Sequence, residues 1–227
     1  MRAQLPLPTP GNPAATPTRG GPPDEPYFAT WSARHRQHLM RAKAEEIDLL
    51  LIGDSITEGW GVEGQPAWNE LLARYRPAEF GIGGDRTEGV LWRLQNGSLD
   101  GLRPQLVVLL IGTNNLAWQT PPQVVEGVAA VVRELRTRLP QSHVLLMALL
   151  PRELKADHPT RALLAEVNAG LARFADDQTT FLDLGPKYVL PDGTLRTDLL
   201  PDLLHLSPAG YRVWAEAIVA EAKRRIT

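Results

Sequence analysis

Cysteine is absent from all 227 residues. That excludes disulfides, thiolate metal sites and a thiol nucleophile. No apolar run reaches the length of about 18 residues that a transmembrane helix needs, so no stable membrane insertion is expected. Residues 1–26 lack the apolar core of a secretory signal, which makes the cytoplasm the expected compartment. Charge of one sign is lacking too. The 24 Lys and Arg against 26 Asp and Glu leave a formal charge of -2, which argues against a nucleic-acid surface or a polybasic membrane patch. The basic cluster Lys223, Arg224 and Arg225 falls at the end of an expected helix, where cations complement the dipole. There is no HExxH, and His35, His143 and His158 lack ligand-like neighbours, so no metal is expected.

What is present is unevenly spread. Pro6, Pro8, Pro10, Pro13, Pro17, Pro22 and Pro23 with Gly11, Gly20 and Gly21 crowd residues 1–25. Proline removes helix hydrogen bonds and glycine raises ordering entropy, so this stretch reads as a leader, either flexible or lying as an extended arm along a domain formed by residues 26–227. Within the domain, a helical pattern covers 27–46, with Phe28, Trp31, His35 and Leu39 on one face. Apolar runs at 47–53, 78–81, 106–111, 144–150 and 180–184 read as strands buried on both faces. Between and after them, 66–75, 87–95, 121–139, 160–176 and 208–225 read as helices, the last with Ser207 as N-cap, and 185–206 as a long loop. Strands alternating with helices imply an α/β fold with a five-stranded parallel sheet covered on both faces.

Function in such a sheet gathers where strands end. Asp54 and Ser55 follow the first strand, Gly83 to Asp85 the second, and Thr113 to Asn115 the third. Acyl transfer needs a nucleophile, a base, a group that orients the base, and donors for the oxyanion. Ser55 is the candidate nucleophile, and His205, just before the last helix, the candidate base. Asp202, three residues upstream of His205, can fix its tautomer by a turn. The Ser55 N–H, the Gly84 N–H and the Asn114 side-chain amide are the candidate oxyanion hole. Asp54 reads as a hydrogen-bond acceptor supporting the site, and Trp92 as core. Ile56, Trp60, Leu116, Trp118 and Leu204 are the candidate substrate-binding walls. Gly81-Ile82-Gly83-Gly84 matches half of a dinucleotide fingerprint. However, Arg86 stands at the third glycine and the run follows the second strand, so no nucleotide cofactor is expected.

Gly53-Asp54-Ser55-Ile56-Thr57-Glu58-Gly59, Gly81-Ile82-Gly83-Gly84-Asp85, Gly112-Thr113-Asn114-Asn115 and Asp202-Leu203-Leu204-His205 resemble, in order, the four blocks of SGNH/GDSL hydrolases. Within that superfamily the sequence is most similar to the catalytic subunits of the intracellular platelet-activating-factor acetylhydrolases. The likeness includes Val90-Leu91-Trp92-Arg93-Leu94 and Leu149-Leu150-Pro151-Arg152 and runs from about residue 45 to the C-terminus. The resemblance implies a flavodoxin-like αβα sandwich, a Ser55–His205–Asp202 triad, no metal or organic cofactor, and a homodimer. It also implies hydrolysis of short-chain or acetyl esters, with a lipid or an acetylated sugar among the small-molecule substrates. Residues 56–79 diverge from the pattern. An O-acyltransferase using the same residues, or an inactive binding or scaffold protein on the same fold, are the alternative readings.

Overall fold

A computed structural model describes residues 3–20 and 26–227. Helix α1 covers Pro26–Ala44 and leads into strand β1, Leu49–Gly53. A short helix α2, Ser55–Glu58, follows immediately. The chain then turns through α3, Gln65–Ala67, into a π turn at Trp68–Leu72 and a 3-10 turn at Ala73–Tyr75. The single helix expected at 66–75 is therefore broken, and it ends on Arg76 in the left-handed conformation (φ 45°). Strand β2 is Pro77–Gly81 and helix α4 Thr87–Arg93, which unwinds into a π turn where Asn96 and Gly97 leave helical geometry. The rest alternates as read: β3 Leu106–Leu110, α5 Pro121–Arg138, β4 His143–Met147, α6 Pro159–Leu171, β5 Thr179–Leu182 and α7 Pro208–Arg225.

The strand order is β2-β1-β3-β4-β5, all parallel, which is the flavodoxin-like doubly wound arrangement. The first crossover moves one way along the sheet and the next three move the other way. With right-handed connections, that places residues 55–75 on one face and α4, α5 and α6 on the opposite one. The packing agrees. Helix α5 lies against α4 and α6, and α7 lies against the 65–72 segment. Every residue of β1, β3 and β4 is buried, as their unbroken apolar runs require. Strand β4 stops earlier than the apolar run 144–150. Its neighbour β5 ends at Leu182, and Ala148 N–H to Leu182 O (2.9 Å) is the last rung. Beyond that rung Leu149 and Leu150 stay buried without a ladder. Helix α6 stops short of 176 because Asp176 turns its side chain to the N–H groups of Gln178 and Thr179 (2.9 and 2.8 Å), capping the turn into β5.

Residues 3–20 lie against the domain. Thr9 and Asn12 bond Glu126 on α5, Arg133 donates to Pro6 O (2.6 Å), and Ala14, fully buried, accepts from Thr87 Oγ1 (2.7 Å). The leader positions 1–2 and 21–25 lie outside the described residues. Among the described residues no helix is long and apolar enough to cross a membrane.

Candidate active site

β1 lies at the sheet's topological switch point, between β2 and β3, so its tip opens into the crevice between diverging connections. At that tip Asp54 is the N-cap of α2, its Oδ1 accepting from the Ile56 N–H (3.0 Å), and Ser55 is the first helical residue. Ser55 is thus not the cap itself; its backbone N–H is one of the donors a helix start leaves unpaired. Tight packing at the tip depends on glycine. A Cβ on Gly53 would lie 2.3 Å from Leu110 O, and one on Gly81 would lie 2.2 Å from the Glu58 nitrogen. Tyr211 on α7 donates its hydroxyl to Ile56 O (2.6 Å), fixing the turn that carries Ser55 from the other side.

The chain brings residue 205 to residue 55 through the loop before α7. Asp202 Oδ1 accepts from the N–H groups of Leu204 (3.0 Å) and His205 (2.7 Å), a local turn that sets the direction of the imidazole. Leu203 takes the left-handed conformation (φ 67°) to close it. Asp202 Oδ2 lies 2.7 Å from His205 Nδ1, and His205 Nε2 lies 2.9 Å from Ser55 Oγ. Desolvation acts on the Asp202 carboxyl in the opposite sense, but the hydrogen bonds from His205 and Leu204 hold it below the ordinary carboxylate range. The site is open: the His205 side chain is 43% and that of Asp202 56% exposed.

The loops after β2 and β3 complete the rim. Gly83 N–H is committed to Glu58 Oε2 (2.6 Å), while Gly84 takes the left-handed conformation (φ 73°) and is exposed. Asn114 Nδ2 donates to Asp85 O (2.9 Å), which ties the β3 loop to the β2 loop and leaves the second amide hydrogen for a ligand. Beneath them Arg93, fully buried, bonds Asp85 Oδ2 (2.9 Å), Phe80 O (3.0 Å) and Gly53 O (3.2 Å), joining the tips of β1 and β2. Burial raises the Asp85 carboxyl against the pull of Arg93. Asn115 caps α4 by accepting from the Thr87 N–H (3.1 Å) and donates to Glu88 and Gln119.

The expected pocket walls fare unevenly. Trp60 is 1% exposed and packs among Trp68, Tyr211 and Trp214, so it is core and presents no face to a ligand. Ile56 is likewise buried (2%), because the turn of α2 directs it into the core while Ser55 faces out. Leu116 and Leu204 are half-buried against the core edge, and Trp118 stands 77% exposed after a 3-10 turn at Asn114–Ala117. Trp92 is half-buried and packs on Trp31 and His35. Arg93, Glu58 and Tyr27 are the site residues that sequence reading missed. Arg93 sits inside an apolar helical stretch, and only an arginine with no solvent-facing register there could have signalled its burial.

The model of the GDSL-like lipase/acylhydrolase family matches residues 51–213. A platelet-activating factor acetylhydrolase IB subunit alpha1 from Bos taurus is 36% identical over 222 residues, covering 95% of this chain and 91% of the relative. The alpha2 subunit from Rattus norvegicus is 36% identical over 185 residues, 80% of this chain and 78% of the relative. Among solved structures, a GDSL-like lipase from Bacteroides thetaiotaomicron superposes with a TM-score of 0.63 at 19% identity, covering 85% of this chain and 98% of the other. A carbohydrate acetylesterase from Sinorhizobium meliloti gives 0.61 at 19% identity, covering 78% and 99%. At such identities these two neighbours speak to the fold.

Proposed function

The chain belongs to the GDSL-like lipase/acylhydrolase family and is a carboxylic ester hydrolase, and from that premise we propose that it cleaves short-chain acyl esters through an acyl intermediate on Ser55. The observation that carries this reading is the relay Ser55 Oγ, His205, Asp202 at 2.9 and 2.7 Å. In the reaction, Ser55 Oγ attacks the ester carbonyl carbon as its proton passes to His205 Nε2. The Asp202 carboxylate holds Nδ1–H and stabilises the imidazolium. The carbonyl oxygen, now an oxyanion, accepts from the N–H groups of Ser55 and Gly84 and from the Asn114 amide, each donor contributing roughly 3 kcal/mol in the transition state. The tetrahedral species collapses, the alcohol oxygen leaves with the proton from His205, and the acyl group remains on Ser55. Water then gives its proton to His205 and attacks the acyl carbon, releasing the acid and restoring the hydroxyl.

The preference for a short acyl group rests on the acetylhydrolase names of the curated relatives. Those relatives are named as subunits, which supports assembly with other chains; the homodimer that the resemblance implies is checked by light scattering. The 43% exposure of His205 leaves room for an acceptor alcohol in place of water, and product analysis with added alcohol separates transfer from hydrolysis. The direct test is Ser55→Ala on p-nitrophenyl acetate. We expect kcat to fall by about 10³ or more, with loss of fluorophosphonate labelling. Wild-type turnover in that variant, or a wild type that no fluorophosphonate labels, would sink the reading and favour a scaffold role.

A further inference from the structure

Beside the nucleophile a groove of about 470 Å³ runs along the first three turns of α1, its lining including Tyr27, Thr30, Arg34, Gln37, Glu58 and Gly83. Its volume falls in the ~300–1,000 Å³ range of small-molecule sites. The groove adjoins Ser55 through Gly83, which lines it. A Cβ placed on Gly83 would sit 3.9 Å from Ser55 Cβ, and one on Gly84 would meet the Tyr27 ring at 3.2 Å and its hydroxyl at 3.5 Å. Tyr27 therefore walls the space next to the Gly84 N–H, the donor assigned above to the oxyanion.

The electrostatics of the groove select its occupant. Arg34 is bound by two carboxylates, Glu79 Oε1 at 2.6 Å and Glu58 Oε1 at 3.6 Å, and it donates to Gly81 O (3.2 Å). Two carboxylates stand against its one charge, so a phosphate or carboxylate entering there meets their repulsion, although only Nε and Nη2 of its donors are engaged. Glu58 in turn spends Oε2 on the Gly83 N–H (2.6 Å) and Oε1 on Arg34, so it offers no free carboxylate to an ammonium group. The groups that remain are uncharged. The Tyr27 and Thr30 hydroxyls and the Gln37 amide line the groove, and none of the three hydrogen-bonds another described residue. Desolvation first, and the Asp85 charge beside it, raise the Tyr27 phenol and keep it a hydrogen-bond donor throughout the working pH range. An aromatic face next to free hydroxyl and amide groups, with no net charge, fits the carbon face and hydroxyls of a neutral polyol.

We propose that this groove is the alcohol-side subsite of the esterase and that Tyr27 and Gln37 select esters of neutral, polyhydroxylated alcohols. The proposal rests on the assignment of Ser55 as nucleophile. The test compares kcat/KM for glucose 6-acetate, for a glycerol phosphate acetate and for p-nitrophenyl acetate, in wild type and in the Tyr27→Phe/Gln37→Ala double variant. Tyr27→Phe keeps the ring against Gly84 and removes only the hydroxyl. We expect wild type to prefer the sugar ester to the phosphate ester. In the double variant KM for the sugar ester should rise, lowering its kcat/KM relative to that for p-nitrophenyl acetate by about tenfold, the scale of one or two lost hydrogen bonds. A wild-type preference for the phosphate ester, or a ratio unchanged in the double variant, overturns the proposal while the esterase reading stands. Absence of Ser55-dependent hydrolysis of all three esters removes both.

Discussion

Asp54 precedes Ser55 and is 1% exposed. Its Oδ1 caps α2, but its Oδ2 has no hydrogen-bond partner among the described residues. Burial pushes this carboxyl up to about 7; the Ile56 N–H opposes the rise and the nearby Asp85 charge adds to it. A carboxyl whose folded value lies above its ordinary 3.8 favours the fold most when protonated, so its contribution is lost as pH rises from about 4 through about 7. Asparagine keeps the cap acceptor and carries no charge. The Asp54→Asn variant is therefore expected to gain stability relative to wild type between about pH 5 and pH 8, read from denaturant midpoints at the two values. A difference that stays constant across that interval would mean that Asp54 ionises in its ordinary range. Asp202 behaves in the opposite sense. Against desolvation, its carboxyl is held below its ordinary value by the hydrogen bonds from His205 and Leu204, so the contribution of its charge is full above the ordinary carboxylate range and is lost as pH falls through the lowered value.

At the scale of elements, the loop that follows β4 supports the loop that carries His205. Glu153 N–H donates to Leu203 O (3.3 Å), and both residues occupy the left-handed region, at φ 69° and 67°. A non-glycine residue there costs roughly 1–2 kcal/mol, and such strain collects where a neighbouring site over-determines the backbone. Glu153→Gly removes the strain but adds unfolded-chain entropy of about 0.4–1 kcal/mol. The expected net gain is about 0.5 kcal/mol, a rise in Tm of roughly 1–2 °C. A lower Tm would show that the Glu153 side chain, 3.7 Å from Arg152, offsets the strain through its contacts. Neither left-handed residue is legible in sequence, because no glycine or asparagine marks the position. The β4 run shows the same limit: Ala148 to Leu150 are apolar like a strand, and only the length of β5 decides that pairing stops.

For the whole molecule, the N-terminal arm is a structural member. Its bonds reach α5 through Glu126 and Arg133, α4 through Thr87, and the turn before β5 through Asp176, where Ala3 N–H donates at 2.6 Å. Gly127 on α5 leaves the space for it: a Cβ there would lie 2.6 Å from Ala14 O. Deleting residues 1–16 is expected to cost about 2 kcal/mol or more, a fall in Tm of roughly 5 °C or more. Hydrolysis of p-nitrophenyl acetate at low temperature should persist, since no described residue of the arm hydrogen-bonds Ser55 or His205. Unchanged thermal stability of the truncated chain would show that these contacts are not formed in solution.

By itself the sequence determined the alternation of strands and helices, the parallel sheet, and which polar residues stand at strand tips. Those properties are written in local hydrophobic period and in glycine and asparagine placed just after apolar runs. Folding alone decided which side of a turn each residue faces. Ile56 and Trp60 are neighbours of Ser55 in sequence, yet they point into the core. Tyr27, 28 positions before Ser55, reaches the rim of the site. Arg93 is drawn inward because two strand tips and a buried carboxylate share their unpaired oxygens at one point. Such convergence depends on long-range packing and on the direction of side chains, and periodicity along the chain carries neither.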